Sequence, residues 1–325
     1  MRLLLLVNAS AASVTARARV VIQKALSADH QISVAETSRR GHASRLALGA
    51  AADGLDAVIV LGGDGTLNEA ANGLAGSSTA LGVLPGGSTN VFARTIGMTN
   101  DPIEATGELL AALNRRSMRR IGLGNVNGRY FLFHVGLGFD AAVVEQVERR
   151  STLKRYAGHP LFVYAALATW FRHYDRSRPR FALRTGGIDG SPETVIDDAY
   201  FAVCLNTHPY TYLGNRPLDV GPEASLDSRL SLLTLRSLAF APTVRAIAAA
   251  MRGRSGAQLA RYRSIAYAPD VPEVTVTGYG PFPYQVDGDF LGETEHLVVR
   301  WEDAALTLIM PAASKAEGPA DRPDG

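Results

Sequence analysis

The stretch LDAVIVLGGDGTLNEAANGL, residues Leu55 to Leu74, decides the fold. Its first part, Leu55 to Leu61, is apolar at nearly every position and predicts a buried strand. A glycine turn follows, and the sequence from Asn68 to Gly76 predicts a helix. A buried strand that opens through glycines into a helix presents backbone N–H groups toward an anion. The stretch therefore predicts a phosphate cradle.

Each residue type in the turn has an expected role. Gly62, Gly63 and Gly65 permit positive φ and let a phosphate approach the bare backbone. Thr66 and Asn68 add side-chain donors. A carboxylate beside phosphates is repelled unless it binds or orients a cation, so Asp64 indicates either magnesium or a structural hydrogen bond. The alternative is that GGDG is only a tight turn, because glycine motifs also match by chance.

A second turn of the same kind follows. The short apolar strand Ala80 to Leu84 leads into PGGSTN, residues Pro85 to Asn90, and then into the helix-compatible residues VFAR. Two such turns at the carboxyl ends of neighbouring strands would line one crevice, which is where open α/β sheets bind ligands.

The first 120 residues alternate apolar strands with helical stretches, which predicts a doubly wound, mostly parallel sheet in an α/β domain. The predicted strands are Leu3–Val7, Gln31–Ala35, Ala57–Leu61 and Gly82–Leu84. The predicted helices are Val14–Ala28, Ser44–Gly54, Asn68–Gly76 and Pro102–Leu113.

Near Arg119 the sequence pattern changes to short apolar runs separated by Gly, Pro and Asp. This pattern predicts an antiparallel, sandwich-like second domain over residues 121–300. The active site is expected in the cleft between the two domains. Residues 301–311 are expected to form a final strand that returns to the first domain, and residues 312–325 a disordered tail. The predicted strands of this part are Tyr130–Val135, Arg180–Arg184, Ala199–Leu205, Leu230–Leu235, Val274–Thr277, Leu297–Trp301 and Ala305–Met310.

Composition narrows the function classes. The chain has 325 residues, 46% of them hydrophobic, and a net charge of +2, too small to indicate nucleic-acid binding. One cysteine, Cys204, permits no disulfide and favours a reducing compartment. The apolar run of MRLLLLVN is shorter than the ~7 to 15 residues of a signal peptide, and no run reaches the ~18 apolar residues of a membrane span. We expect a cytoplasmic protein.

A basic segment interrupts the second domain. Residues 149–180 contain eight Lys or Arg and one acid, Asp175, on either side of the apolar run Leu161 to Phe171. A helix that is apolar all round is normally buried. The functional alternative is a helix at the mouth of a lipid site, with its cationic flanks on anionic head groups at the inner face of the plasma membrane.

GGDGTLNEAANGL together with PGGSTNVFAR resembles the catalytic domain of the diacylglycerol kinase family, which includes sphingosine, ceramide and bacterial lipid kinases. The resemblance extends to NASAAS (Asn8 to Ser13), TSRRGHA (Thr37 to Ala43), GLGFDAAVVEQVE (Gly136 to Glu148) and YQVDGDFLGE (Tyr284 to Glu293). It implies an enzyme that transfers phosphate from ATP, with Mg²⁺, to the hydroxyl of diacylglycerol or a similar lipid, giving phosphatidic acid or an equivalent phospholipid.

The resemblance also implies roles for individual residues. Asp289, supported by Asp287, stands where the family has its catalytic base, a glutamate, and Asp64 lies beside the phosphates. A structural magnesium would take Asp227 with carbonyls of Ser225 and Leu230, although Ser228 replaces a family acid there. The nucleotide would contact Asn8, Thr37, Gly62, Gly63, Asp64, Gly65, Thr66, Leu67, Asn68, Glu69, Gly86, Gly87, Ser88, Thr89 and Asn90.

The residues leave several alternatives open. QVDGDF is also typical of an Asp-Gly hairpin turn, and GGDGT also occurs in NAD kinase, a soluble small-molecule kinase. The replaced acids are compatible with a catalytically weak nucleotide- or lipid-binding module. The chain has no P-loop lysine, so phosphate binding must rest on backbone amides, hydroxyls, arginine and metal. The acceptor lipid and a homodimer stay open.

Overall fold

The computed structural model describes residues 1–148, 174–175, 177–186, 193–213, 216–239, 243–245, 248, 252 and 256–311. The apolar run Leu161 to Phe171, most of its basic flanks and the predicted tail lie outside these ranges. Within them, no helix is both long and apolar enough to cross a membrane.

The N-terminal half is a parallel sheet with helical crossovers, as predicted. The strand order is β2-β1-β3-β4, and all three neighbouring pairs are parallel. Every residue of β3 is buried, because helices cover both faces of a parallel sheet. The elements in chain order are β1 (Arg2–Val7), α1 (Ala16–Ser27), β2 (Gln31–Glu36), α2 (His42–Ala52), β3 (Ala57–Gly62), α3 (Asp64–Leu74), β4 (Ala80–Pro85), α4 (Val91–Thr95) and α5 (Pro102–Asn114).

Helix α3 begins earlier than the sequence predicts. It starts at Asp64, and Gly63 is its extended N-cap residue with φ −87° and ψ 175°. The glycine turn is therefore shorter than expected, and Gly65 and Thr66 belong to the first turn of the helix.

The C-terminal half is built mainly from antiparallel strands, which together with the parallel half confirms the predicted α/β class. The long hairpin of β15 and β16 is its centre, and β7, β10, β13 and β14 extend the sheet from β15. The elements are β5 (Met118–Val126), β6 (Arg129–Phe131), β7 (His134–Gly138), α6 (Phe139–Glu148), β8 (Phe181–Thr185), β9 (Thr194–Ala199), β10 (Phe201–Leu205), β11 (Thr211–Leu213), β12 (Arg216–Leu218), β13 (Leu230–Leu235), α7 (Gly256–Leu259), β14 (Ile265–Val271), β15 (Glu273–Val286) and β16 (Asp289–Ile309).

The predicted strand Tyr130 to Val135 is divided in the structure. Strand β6 ends at Phe131 and β7 begins at His134. Between them the backbone N–H groups turn toward the carboxylate of Asp287 instead of a neighbouring strand. Apolarity predicted the burial of this segment, but the side chain that interrupts it lies more than 150 residues away.

Strand β16 joins the two halves of the molecule. Its first part pairs with β15, and its last part pairs with β5 and, at Leu308, in parallel with Leu81 of β4. Leu306, Leu308 and Ile309 lie in the same hydrophobic core as β1, β3 and β4. A separate core fills the antiparallel half around Phe181 and Phe282. The domain boundary near residue 120 stays a prediction.

Candidate active site

Three loops meet at the carboxyl edge of the parallel sheet. They follow β1, β3 and β4, and they contain Asn8 and the two glycine turns. The backbone N–H of Asn8 donates to the carbonyl of Leu61 at 3.0 Å, and its Nδ2 donates to Oγ1 of Thr66 at 2.8 Å. The fold thus brings together the two turns that the sequence predicted to share one crevice, and it adds Asn8 to them.

The glycines are required because the two turns touch each other through their backbones. The N–H of Gly86 donates to the carbonyl of Gly62 at 2.8 Å. A Cβ on Gly86 would lie 2.9 Å from the N and Cα of Gly62, and one on Gly87 would lie 2.8 Å from the Cα of Gly63. The first turn does not use the positive φ that its glycines permit, since the structure places Gly62, Gly63 and Gly65 outside that region. Close approach between the turns explains the glycines of the second turn, Gly86 and Gly87, whereas a Cβ on Gly65 would meet nothing within 4 Å.

The N-terminus of α3 has the features of an anion site. Its N-cap residue, Gly63, has no side chain with which to cap it. The first N–H groups of a helix have no partner within the helix, and the helix dipole makes this end positive. The hydroxyl of Thr66 lies in this first turn, held by Asn8. These groups offer donors to a phosphate at the mouth of the crevice.

Asp64 ties the two turns together. Its carboxylate accepts hydrogen bonds from the N–H groups of Val91 at 3.0 Å and Phe92 at 3.1 Å, at the start of α4. Burial raises the pKa of Asp64, and the two N–H donors oppose that rise. The structural hydrogen bond predicted as one alternative is therefore present. It also engages N–H groups of α4, so the second turn has fewer amides available for an anion than expected.

The second turn is held by Asn90, a non-glycine residue in the left-handed region with φ 48°. Its Oδ1 accepts from the N–H of Gly87 at 2.7 Å, and its Nδ2 donates to the carbonyl of Gly87 at 3.0 Å. Ser88 and Thr89 lie at the tip, with Ser88 exposed. The tip residues are the part of this turn that faces outward.

Some of the residues predicted to contact the nucleotide have side chains that stabilise the fold. Leu67 is 3% exposed and lies in the N-terminal core. The carboxylate of Glu69 accepts from the N–H groups of Gly41 at 2.7 Å and Ala43 at 3.1 Å, and so caps α2. Thr37 follows β2 and donates its N–H to the carbonyl of Val7 at 2.9 Å. Its position at the same edge keeps it near the crevice.

Asp287 occupies the turn between β15 and β16. Asp287 and Gly288 have φ of 49° and 82°, as in a two-residue hairpin of type I′. The carboxylate nevertheless points inward, where the N–H groups of Leu132, Phe133 and His134 donate to it at 2.7 to 3.0 Å. Burial raises the pKa of Asp287 to about 7, and the N–H donors lower it only in part. Asp287 therefore lies in an Asp-Gly hairpin turn, as one alternative predicted, and its carboxylate is also a buried acceptor for backbone N–H groups.

Asn68 connects α3 to this turn. Its Nδ2 donates to Oδ2 of Asp287 at 2.7 Å, and its Oδ1 accepts from Nη2 of Arg129 at 3.3 Å. The side chain is 1% exposed. Both ends of the Asn68 amide are engaged with Asp287 and Arg129. The side chain therefore connects the two halves of the site and is not available as the predicted donor to phosphate.

Asp289 lies between two arginines. Arg40 donates from Nη2 to Oδ1 at 2.6 Å, and Arg129 donates from Nη2 to Oδ2 at 2.7 Å. The two aspartates of the turn thus have different partners and are linked through Asn68 and Arg129. Sequence reasoning did not assign a role to either arginine. The sequence did indicate arginine in general, because the chain has no P-loop lysine to bind phosphate.

A buried polar cluster behind the turn was also missed. Asp140, at the start of α6, accepts from the hydroxyl of Tyr210 and from Nε2 of Gln285. Burial raises the pKa of Asp140 and lowers that of His134, whose ring lies 4.5 Å from the Tyr210 ring. The segment GLGFDAAVVEQVE contains Asp140, but the spacing alone did not reveal its partners.

Groups at the predicted structural metal site already bond to other residues of the chain. Asp227 Oδ1 accepts from Nη1 of Arg119 at 2.7 Å, and the carbonyl of Ser225 accepts from the N–H of Ser228 at 3.2 Å. Arg229 binds Asp270 at 2.9 Å. Among the residues that the structure describes, no group of three His, Cys, Asp or Glu side chains is arranged to hold a metal ion. One oxygen of the single acid is thus bonded to a guanidinium, and the metal site stays a prediction.

Residues 2–126 match the family described as diacylglycerol kinase catalytic domain. The chain is 38% identical over 120 residues to "Diacylglycerol kinase" of Bacillus subtilis (36% of this chain, 39% of the relative). It is 31% identical over 212 residues to "Probable lipid kinase YegS-like" of Chromohalobacter salexigens (58% and 66%). The chain thus spans less than two thirds of the length of these relatives.

The fold has relatives among solved structures. A diacylglycerol kinase crystal structure from Bacillus anthracis superposes with a TM-score of 0.69 at 20% identity, covering 96% of this chain and 97% of the other. At that identity the likeness shows the fold. Residues 2–126, with their two glycine turns at the sheet edge, thus match the diacylglycerol kinase catalytic domain family.

Proposed function

We propose that this protein is an ATP-dependent lipid kinase that phosphorylates the hydroxyl of diacylglycerol or a similar lipid. The observation that carries the proposal is the path of hydrogen bonds from α3, through Asn68 and Arg129, to the carboxylates of Asp287 and Asp289. It connects a phosphate-binding type of turn with a group able to accept a proton, which phosphoryl transfer to a hydroxyl requires.

The nucleotide would lie at the carboxyl edge of β1, β3 and β4. Its phosphates would accept hydrogen bonds from the first N–H groups of α3 and from the hydroxyls of Thr66 and Ser88. Thr37 and Asn8 flank this position. The arrangement supports binding by backbone dipoles and hydroxyls, with arginine as the nearby cation in place of lysine.

Asp289 is the proposed base, and Asp287 a positioning residue. The oxygens of Asp287 already accept three backbone N–H groups and the Asn68 amide, whereas Asp289 is partly exposed beside the crevice. In the transfer, the lipid hydroxyl oxygen bonds to the γ-phosphorus, and the bond from that phosphorus to the β–γ bridging oxygen breaks. The hydroxyl proton goes to Asp289, and ADP leaves with the electron pair of the broken bond.

Magnesium belongs to the substrate in this proposal. It would arrive with the nucleotide as MgATP, where it offsets phosphate charge, with Asp64 near its position. The lipid would bind in the antiparallel half, and peripheral contact with an anionic membrane rests on the basic segment around Leu161 to Phe171.

The test is phosphate transfer by the purified chain from radiolabelled ATP to a total lipid extract, with NAD as a competing acceptor. A labelled lipid that depends on magnesium supports the proposal; labelled NADP, or ATP binding without any labelled product, contradicts it. Asp289→Asn should lower transfer by about 10²- to 10⁴-fold. Glu293→Gln, which removes an exposed carboxylate on the same strand, is the matched control and should retain activity.

A further inference from the structure

The turn between β15 and β16 is held from two directions. On one side, the carboxylate of Asp287 accepts the N–H groups of the segment between β6 and β7. On the other side, the N–H of Gly288 donates to Oε1 of Gln285 at 2.7 Å. Gly288 directly precedes Asp289 in the chain. The bond to Gln285 therefore acts on the residue next to the proposed base.

The side chain of Gln285 is engaged at both ends of its amide. Its oxygen accepts from Gly288, and its Nε2 donates to Oδ2 of Asp140 at 2.7 Å. The residue is 0% exposed. A backbone N–H can only donate, so the amide oxygen has to face Gly288 and the amide nitrogen has to face an acceptor. Asp140 is that acceptor, and it keeps the amide in the orientation that the turn requires.

Asp140 is itself held in place at the start of α6. It is 6% exposed, and its second oxygen, Oδ1, accepts from the hydroxyl of Tyr210. Burial raises the pKa of Asp140, and the hydrogen bonds from Tyr210 and Gln285 oppose that rise. Each carboxylate oxygen thus has a donor that compensates for the water lost on burial.

A glycine in β7 leaves the space in which Asp140 and Gln285 meet. Gly136 is the register partner of Gln285 between β7 and β15. A Cβ on Gly136 would overlap Oδ2 of Asp140 and would lie 2.5 Å from Nε2 of Gln285. The contact between the carboxylate and the amide therefore depends on glycine at this position of the GLGFD segment.

We infer that Asp140 and Gln285 are positioning residues for phosphate transfer: Asp140 orients the Gln285 amide, and Gln285 holds the turn from which Asp289 meets the acceptor hydroxyl. The inference rests on the proposed function and adds two buried residues to it. Both act through the turn, so their loss should slow the transfer step without changing the groups that would bind the nucleotide. A purely structural role would instead lower the stability and leave the rate per folded molecule unchanged.

The experiment measures initial rates of phosphate transfer from radiolabelled MgATP to a total lipid extract by the full chain, at varied ATP concentration. Gln285→Met keeps the length of the side chain and removes the amide. It should lower the apparent kcat about 10- to 100-fold, because a displacement of about 1 Å at a reacting group costs about 10²-fold in rate. The KM for ATP should stay within about twofold of the wild type, because uniform binding is unchanged.

Substitutions of Asp140 test whether it acts through Gln285. Asp140→Ala should lower the apparent kcat as Gln285→Met does. Asp140→Asn should restore part of that loss, since the asparagine oxygen still accepts from Gln285 and the Tyr210 hydroxyl can accept from its amide nitrogen. In the Gln285→Met background, Asp140→Ala should cost less than about twofold more, because residues that act in one network are not additive.

Thr106→Val is the matched control for the loss of a buried hydrogen bond. The Thr106 hydroxyl donates to the carbonyl of Pro102 at 2.7 Å within α5. Its removal should lower the urea midpoint and leave the apparent kcat unchanged. Urea unfolding of every variant gives the folded fraction to which each rate is normalised.

Two results would overturn the inference while an active wild type leaves the kinase proposal standing: an unchanged apparent kcat in Gln285→Met, or full additivity of Gln285→Met and Asp140→Ala. If Asp140→Ala does not fold, the rate of Gln285→Met decides by itself. A wild-type chain that forms no labelled lipid would contradict the proposed function and this inference with it.

Discussion

Asn68 and Asp287 are separated by 219 residues in the chain and are joined by a 2.7 Å hydrogen bond. Asn68 belongs to the helix that follows the first glycine turn, and Asp287 belongs to the turn between the two longest strands. Both side chains are buried. This contact holds the turn that carries the proposed base against the helix that begins at the proposed phosphate site. A substitution at either residue should therefore affect both regions.

Asn68→Ala should destabilise the fold and reduce lipid phosphorylation. It removes one donor from Asp287 and one from the carbonyl of Tyr130, and an unsatisfied buried polar group costs about 1 to 3 kcal/mol. Urea unfolding measures the stability, and initial rates measure the activity. Asn114→Ala, at an exposed position, should change stability by less than about 0.5 kcal/mol. Equal effects of the two substitutions would contradict a special role for Asn68.

Gly87→Ala and Gly65→Ala should distinguish two reasons for glycine in the turns: close packing of the two turns, and the approach of a phosphate to the backbone. A Cβ at Gly87 meets the Cα of Gly63 at 2.8 Å, whereas a Cβ at Gly65 meets nothing within 4 Å. Gly87→Ala should therefore lower the melting temperature. Gly65→Ala should fold at least as stably, since alanine favours a helix over glycine by about 0.5 to 1 kcal/mol, yet it should weaken ATP binding if a phosphate approaches the first turn of α3. Thermal melts and nucleotide titrations distinguish these outcomes, and normal ATP binding by Gly65→Ala would argue against phosphate at this position.

Asp287 should make the stability of the fold fall as pH rises from about 4 to about 7. Its pKa in the folded chain is raised to about 7 from 3.8, so in this window the folded state binds more protons than the unfolded state. The free energy of unfolding then decreases with pH, by at most about 1.4 kcal/mol per pH unit from this group. Urea unfolding across this range, compared between the wild type and Asp287→Asn, isolates the contribution. A wild-type curve that rises relative to the variant between pH 4 and pH 7 would contradict this prediction.

Magnesium should stabilise the protein only together with the nucleotide. Asp227 is bonded to Arg119, so Mg²⁺ alone should leave the melting temperature nearly unchanged. MgATP at about 100 times its dissociation constant should add about 2.7 kcal/mol to the free energy of unfolding. Differential scanning calorimetry with each ligand measures this. If Mg²⁺ alone raises the melting temperature and Asp227→Ala abolishes the rise, the metal site at Asp227, Ser225 and Leu230 is present after all.

The parallel half was largely predictable because its signals are local. Strand β3 is an apolar run bounded by glycine, and α5 begins with Asp101 as a capping residue followed by Pro102. The approximate bounds of most elements follow from such patterns. The start of α3 was misplaced because a glycine N-cap has no side-chain signature, and the break between β6 and β7 was missed because a distant carboxylate causes it.

The candidate site was predictable only in part. The glycine turns and the Asp287–Asp289 pair were recognisable from short motifs. Arg40 and Arg129 were not, because an arginine in a loop or a short strand has no local feature that reveals its partner. The same holds for Asp140, whose two partners come from residues 210 and 285.

The sequence by itself determined the alternation of strands and helices, the position of both turns and the residue types available for phosphate chemistry, since each depends on neighbours within a few residues. Tertiary structure alone decided that Asp64 binds the start of α4, that Asn68 holds Asp287 and that two arginines enclose Asp289. The physical reason is that burial and charge pairing depend on which distant segments the folded chain brings within hydrogen-bonding distance.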